Sequence, residues 1–212
     1  ENRPGELMPA FEDEHGTYIM NSKDLRAVQH VEKLTQLGID SFKIEGRTKS
    51  VYYVARTTQV YRRAIDDAMS GRPFDMSLMD ELEGMANRGF TEGFYRRHPP
   101  GEYQNYERGF STSNKQQFVG AIVDCSENWL TVDVKNRFEA GDLLQLMTTR
   151  GNVSFDLPTI TDQNNNTTNV APGSGHVVKI PLPDGLESTC INDFSLLIRY
   201  LSQQSHLTHE NK

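Results

Sequence analysis

The chain has 212 residues, with 22 Lys and Arg against 29 Asp and Glu and a net charge of -7. That balance excludes a general polyanion binder with a broad basic field, so any nucleic-acid contact has to be local and shaped. Cys125 and Cys190 are far apart and in no metal-ligand spacing, which excludes a disulfide framework and suits a reducing cytoplasm; no apolar run approaches the ~20 residues of a membrane span, and no secretory signal is visible.

In chain order, residues 1–16 read as a loop, with Pro4, Gly5, Pro9 and the acidic patch Glu12-Asp13-Glu14. Thr17–Met20 reads as a strand. Asn21-Ser22 offers caps for a helix reaching Leu37, with Ala27, Val28, Val31 and Leu34 on one face and Gly38 as its C′ residue. Ile39, Phe42 and Ile44, bounded by Gly38 and Gly46, predict a second strand. A long helix is expected from Ser50, its N-cap, to Ala68. Strand, helix, strand, helix suggests parallel βα units. Two such units are not a fold, because a parallel sheet wants several strands and both faces covered. This, with the absence of a first Met, points to a missing N-terminal portion of a larger α/β domain.

Val51, Val54, Thr58, Tyr61, Ile65 and Ala68 are the expected buried face of the long helix. Lys49, Tyr52, Arg56, Gln59 and Arg63 then form the opposite stripe. That stripe is either a solvated helix face or a surface that meets phosphates, where arginine can pair in a bidentate manner. After Gly71-Arg72-Pro73 a second helical stretch carries Leu78, Leu82, Met85 and Ala86 on its apolar side. Gly89 and Gly93 demand a turn that Phe90 and Phe94 pin to a core. Arg96-Arg97-His98 is a small basic cluster, and Pro99-Pro100-Gly101 is a domain boundary.

Beyond it, runs at 117–124, 129–134, 143–147, 153–157, 175–180 and 195–200 alternate or run apolar between turn signals. They predict a small antiparallel barrel or sandwich. The Asn-rich stretch Asp162–Thr168 reads as an exposed loop. The expected class is α+β, with βα units over 1–70, a helical connector over 71–100 and a small β-barrel over 101–212.

No metalloprotease helix, Cys-x-x-Cys, phosphate-binding glycine loop or nucleophile elbow is present. His98 reads as a surface residue, His176 as structural and Cys125 as a core or edge thiol. One constellation suggests binding. Lys43, Glu45, Arg47 and Lys49 follow one predicted strand, and Asn21, Ser22 and Asp24 follow another. Both sets could share the C-terminal rim of one sheet, where α/β proteins meet their ligands. Glu45 and Asp24 can accept from a hydroxyl or amine, and Arg47 and Lys49 can hold a carboxylate or phosphate. The competing reading makes Glu45 and Arg47 a local ion pair that fixes the loop.

The runs Asn21–Leu25, Gly38–Ser50, Tyr52–Ala55, Tyr61–Ala64, Arg88–Phe94 and Val134–Asp142 closely resemble the collagenase-like peptidase family U32. Within it the chain is most similar to members that modify tRNA, making wobble 5-hydroxyuridine in a prephenate-dependent reaction. The resemblance implies that residues 17–68 are the last βα units of a TIM-like barrel. It implies a C-terminal barrel like those of translation factors and RNA-binding modules, one that positions tRNA. It implies an iron–sulfur cluster on upstream cysteines absent here, so no cofactor or metal ligand is expected in this chain, and the chain alone is expected to be inactive. Glu45, Arg47, Lys49, Asn21, Ser22 and Asp24 become the expected substrate-binding residues, and Arg56, Arg63, Arg96 and Arg97 the expected RNA-facing cations. The expected partners are tRNA and the N-terminal domain of the same polypeptide. The alternatives are a protease, as the family name suggests, and a binding module without chemistry of its own.

Overall fold

The structure, a computed structural model, describes residues 10–13, 16–19, 21–85, 89–95, 104–105, 115–186, 191 and 194–201. The chain divides into two units, Glu1–Ser113 and Asn114–Lys212.

Unit 1 opens with strands β1 (Ala10–Asp13) and β2 (Gly16–Ile19), an antiparallel pair in which Ala10 faces Ile19. The predicted loop over 1–16 thus contains a strand, and the predicted strand at 17–20 pairs with it locally rather than through a parallel crossover. Strand β3 (Asn21–Ser22) pairs with β6 (Gln104–Asn105). Strand β4 (Asp24–Leu25) runs parallel to β5 (Phe90–Thr91), the one parallel pair among the described residues. Asn21 and Ser22 therefore belong to a strand and do not cap a helix. The helix begins later, as a 3-10 turn over Val28–His30 that runs into α1 (Val31–Gln36).

The end of α1 is as expected. Gly38 has φ +80, its N–H donates to the Thr35 carbonyl at 3.0 Å, and the Ile39 N–H donates to the Leu34 carbonyl at 3.1 Å. That is a Schellman ending, for which a residue without Cβ is best suited. The stretch after it differs from expectation. Residues 39–46 form no ladder, and Ile39 and Ile44 are 47% and 38% exposed. A strand exists only through partners for its N–H and C=O groups, and the described residues bring none alongside.

Helix α2 (Val51–Met69) is capped by Ser50, whose Oγ accepts from the Tyr53 N–H at 3.2 Å. Its buried side is not the predicted one. Tyr52, Arg56, Thr57, Val60 and Ala64 are buried, whereas Val51 is 69% exposed. The buried side faces α1 and α3 (Ser77–Glu83), whose Leu78 and Leu82 are buried with Met85. Arg56 is tolerated there because its Nη1 donates to Glu81 Oε2 of α3 at 3.1 Å. A buried charge needs such a partner.

Unit 2 holds the expected strands. They are β7 (Gln116–Cys125), β8 (Trp129–Val134), β10 (Leu143–Thr148), β11 (Gly151–Asp156), β15 (Val177–Pro181) and β16 (Leu196–Tyr200). Short strands β12 (Ile160–Thr161) and β13 (Thr167–Thr168) complete an antiparallel sheet ordered β11-β10-β16-β7-β8-β15-β12-β13. A separate pair joins β9 (Phe138–Glu139) to β14 (Val170–Ala171). Val119, Leu130, Val132, Leu144, Leu146, Ile160, Ile180 and Leu197 meet in one buried cluster with Phe138 and Leu157. Side chains from six strands of one sheet share a core only if the sheet curls round it, as in a barrel. Gly120 permits the close approach of β7 and β8, since a Cβ there would lie 2.4 Å from Val132 Cγ1. The Asn-rich stretch is the β12–β13 turn, in which Asp162 accepts from the N–H groups of Asn164 and Asn166, both at 2.8 Å.

Candidate functional site

Unit 1 contains a cleft of about 430 Å³ bounded by β4, the segment 39–46, α2, Phe90 and Tyr95. At its base Asp24 accepts from Lys49 Nζ through both carboxylate oxygens, each at 2.7 Å. The Tyr53 hydroxyl donates to Asp24 Oδ2 at 3.3 Å, and the Lys49 ammonium lies 4.6 Å from the centre of the Tyr53 ring. Asp24 and Lys49 expose only 13% and 23% of their side chains. Burial, and then the Asp24 charge, pushes the Tyr53 hydroxyl well above the ordinary tyrosine range, so it remains a donor.

One turn further along α2 lies Thr57, and one turn beyond that Tyr61. The Tyr61 oxygen accepts from the Ala27 N–H at 2.8 Å, and burial makes its hydroxyl a weaker acid than an ordinary tyrosine as well. Lys49, Tyr53, Thr57 and Tyr61 thus form a stripe at four-residue spacing that lines the cleft. Arg26 also lines the cleft, its guanidinium 4.8 Å from the centre of the Phe90 ring and paired with Glu83 at 3.0 Å. Nearby, His30 Nε2 lies 3.0 Å from Glu92 Oε2, and its ring stacks on Tyr95.

The structure therefore brings together part of the expected constellation. Asp24, Lys43, Glu45 and Lys49 line the cleft. Glu45 is tied to Lys43 Nζ at 3.6 Å and to the Arg47 backbone N–H at 3.4 Å, not to the Arg47 guanidinium. Arg47 is exposed and does not line the cleft. Asn21 and Ser22 lie in β3, and their side chains fall outside the described residues. Arg56, expected on an RNA-facing stripe, is 1% exposed and held by Glu81, because the helix buries that side. Arg63 is half exposed, with both terminal nitrogens turned to Asp75 and Glu81 at 2.7 and 3.5 Å. Arg96, Arg97, His98 and Cys190 lie outside the described residues. His176 is exposed, with Nδ1 3.2 Å from the Gly173 carbonyl oxygen, and Cys125 is half-buried against the core of unit 2.

The reading of the sequence missed Tyr53, Tyr61, Phe42 and Arg26. The signal for the two tyrosines was present, since both recur at four-residue spacing from Lys49.

The profile of peptidase family U32 matches residues 1–105, and that of the peptidase family U32 C-terminal domain matches residues 114–191. The chain belongs to this family. Among its relatives, the chain is 55% identical over 204 residues to tRNA hydroxylation protein P of Escherichia coli, covering 96% of this chain and 44% of that protein. It is 55% identical over 201 residues to tRNA hydroxylation protein P of Haemophilus influenzae, covering 94% of this chain and 43% of that protein. It is also 31% identical over 111 residues to a collagenase of Porphyromonas gingivalis, covering 51% of this chain and 30% of that protein. The chain spans less than half the length of each of these curated relatives.

Proposed function

We propose that this chain is part of a tRNA-modifying protein that takes part in prephenate-dependent hydroxylation of wobble uridine, and that the cleft around Asp24, Lys49 and Tyr53 helps to hold its substrate. The observation that carries the reading is the 55% identity to two tRNA hydroxylation proteins across nearly the whole chain. The alternative, a collagenase-like protease, finds less support in the cleft. Ser41 and Thr57 line it, but no histidine or cysteine among the described residues does, so neither hydroxyl has an imidazole base there.

On this reading a further α/β portion of the same polypeptide lies against the segment after α1. The exposure of Val51 and Val54, which do not line the cleft, and the unladdered segment 39–46 support it, since a TIM-like barrel would supply both apolar cover and strand partners. The C-terminal unit then positions the tRNA. Residues 114–212 carry 7 Lys and Arg against 11 Asp and Glu, so that unit would contribute placement rather than electrostatic grip. An iron–sulfur cluster does not fit the residues present. Such clusters are held by about four cysteines, the chain has 2, and no group of metal-binding side chains forms among the described residues.

The test uses cells lacking the gene, complemented with the full-length gene or with its Lys49→Ala and Arg47→Ala forms. Their tRNA is digested, and wobble hydroxyuridine derivatives are quantified by mass spectrometry. Wild type is expected to restore the nucleoside, and Lys49→Ala to leave roughly a tenth or less, as for loss of a charged positioning group. Arg47→Ala asks whether the rim beyond the cleft takes part; an unchanged level removes Arg47 from the site. Failure of the wild-type gene to restore the nucleoside would overturn the reading and make a protease assay the next step.

A further inference from the structure

The walls of the cleft narrow the kind of ligand it can take. Five aromatic rings reach it: Phe42, Tyr53, Tyr61, Phe90 and Tyr95. They come from the segment 39–46, from α2, from β5 and from the turn after β5; Tyr53, Phe90 and Tyr95 each have one face against Lys49, Arg26 and His30, which leaves the other face of each, and Phe42 and Tyr61, for a ligand. Its volume of about 430 Å³ falls in the lower part of the ~300–1,000 Å³ range of small-molecule sites.

The cations of the cleft already have partners. Lys49 is paired with Asp24, Lys43 with Glu45 and Arg26 with Glu83. A phosphate or free carboxylate entering here would compete with carboxylates that already occupy those cations, and would meet the charges of Asp24 and Glu45 at short range. Tyr61 is placed differently. Its oxygen accepts from the Ala27 N–H, which leaves its own O–H to donate to a ligand. An uncharged planar ring carrying a carbonyl oxygen satisfies all three conditions: ring walls, compensated charge and a neutral donor.

We infer that the cleft takes an uncharged nucleobase, stacked against the aromatic walls with a ring carbonyl accepting from the Tyr61 hydroxyl. This rests on the tRNA-hydroxylation reading, under which the base is the target uracil, turned out of the stack. Bases that undergo chemistry are commonly extruded into such pockets and held between aromatic side chains. Phe42 is the ring best suited to a test, because it sits on an unladdered segment and has no hydrogen-bonding group of its own.

The experiment is titration calorimetry on the full-length polypeptide, with uridine as the neutral probe and benzoate as a ring carboxylate. Uridine is expected to bind, with an affinity that changes by less than about twofold between roughly 50 and 200 mM salt, because no phosphate contact is made. Phe42→Leu is expected to weaken uridine about tenfold, as for loss of one stacking face, and Phe42→Tyr to retain it. Circular dichroism of both variants separates lost stacking from lost folding. No binding at about 10 mM uridine overturns the inference. So does tighter binding of benzoate than of uridine, or wild-type binding by a folded Phe42→Leu protein. The two proposals fail separately. A wild-type gene that does not restore hydroxyuridine ends the tRNA reading. Restoration by wild type and equally by Phe42→Leu, with unchanged uridine binding, ends the base-pocket inference alone.

Discussion

Unit 2 gathers apolar side chains from six strands into one cluster, with Gln116, Gln145, Thr148 and Ser195 also buried in the unit, whereas the long helix of unit 1 buries an arginine, a tyrosine and a threonine beside one valine and one alanine. In unit 2 the local pattern and the final packing agree, most plainly in β8, where Leu130, Val132 and Val134 alternate into one core. In unit 1 the packing depends on particular polar partners. Arg56 finds Glu81 and Asp24 finds Lys49, each 25 residues distant, and Tyr61 meets Ala27 at 34. Apolar residues, meanwhile, are left outside. An apolar core can be read from periodicity, but a polar one is defined by its pairings.

The difference can be broken most severely in unit 2. Phe138 is fully buried, and Phe138→Ala should cost about 3–5 kcal/mol through lost transfer energy and the cavity left behind. Trp129, the single tryptophan, lies in β8 of the same unit, so denaturation followed by its fluorescence reports this loss. In unit 1, Arg56→Ala should cost less, about 2–3 kcal/mol, because Glu81 stays partly solvated and retains Arg63. Arg56→Met, which keeps the bulk, should lose less still; helix ellipticity against denaturant measures both. If Arg56→Ala were neutral, the view of unit 1 as held by pairings would fail.

The smallest effect sharpens the comparison through pH. The Tyr53 hydroxyl holds its proton more tightly in the folded chain, mainly through burial and then through Asp24, while in the unfolded chain it ionises near pH 10. Above that value the unfolded state releases a proton that the folded state keeps, so stability falls as pH rises. The loss should be on the order of 1 kcal/mol by roughly pH 10.5. Tyr53→Phe should flatten that part of the pH–stability curve, and an unchanged slope in thermal melts would contradict the placement of Tyr53 beside Asp24.

Much of this was legible in the residues. The strand runs of unit 2, the Ser50 cap and the Gly38 ending each state a local physical requirement that the structure meets. The buried side of α2 was not legible, because Val51 and Val54 look like core residues and Arg56 does not. What reverses them is the carboxylate of Glu81 on another helix. The segment 39–46 reads as a strand from its apolar spacing, yet a strand also needs a neighbour, which its own residues cannot supply. For the cleft, Asp24, Glu45 and Lys49 were found from their places beside predicted strand ends, while Phe42 was read only as an apolar strand position.

Strand β16 lies between β10 and β7, bonded to both, although its residues 196–200 follow every other strand of the sheet. During synthesis the β10–β11 hairpin and the β7–β8–β15 ladder must therefore wait, each with an open edge, until that segment emerges and joins them. Assembly of this unit is correspondingly late, and the nascent chain is most exposed to mispairing just before its final strand arrives.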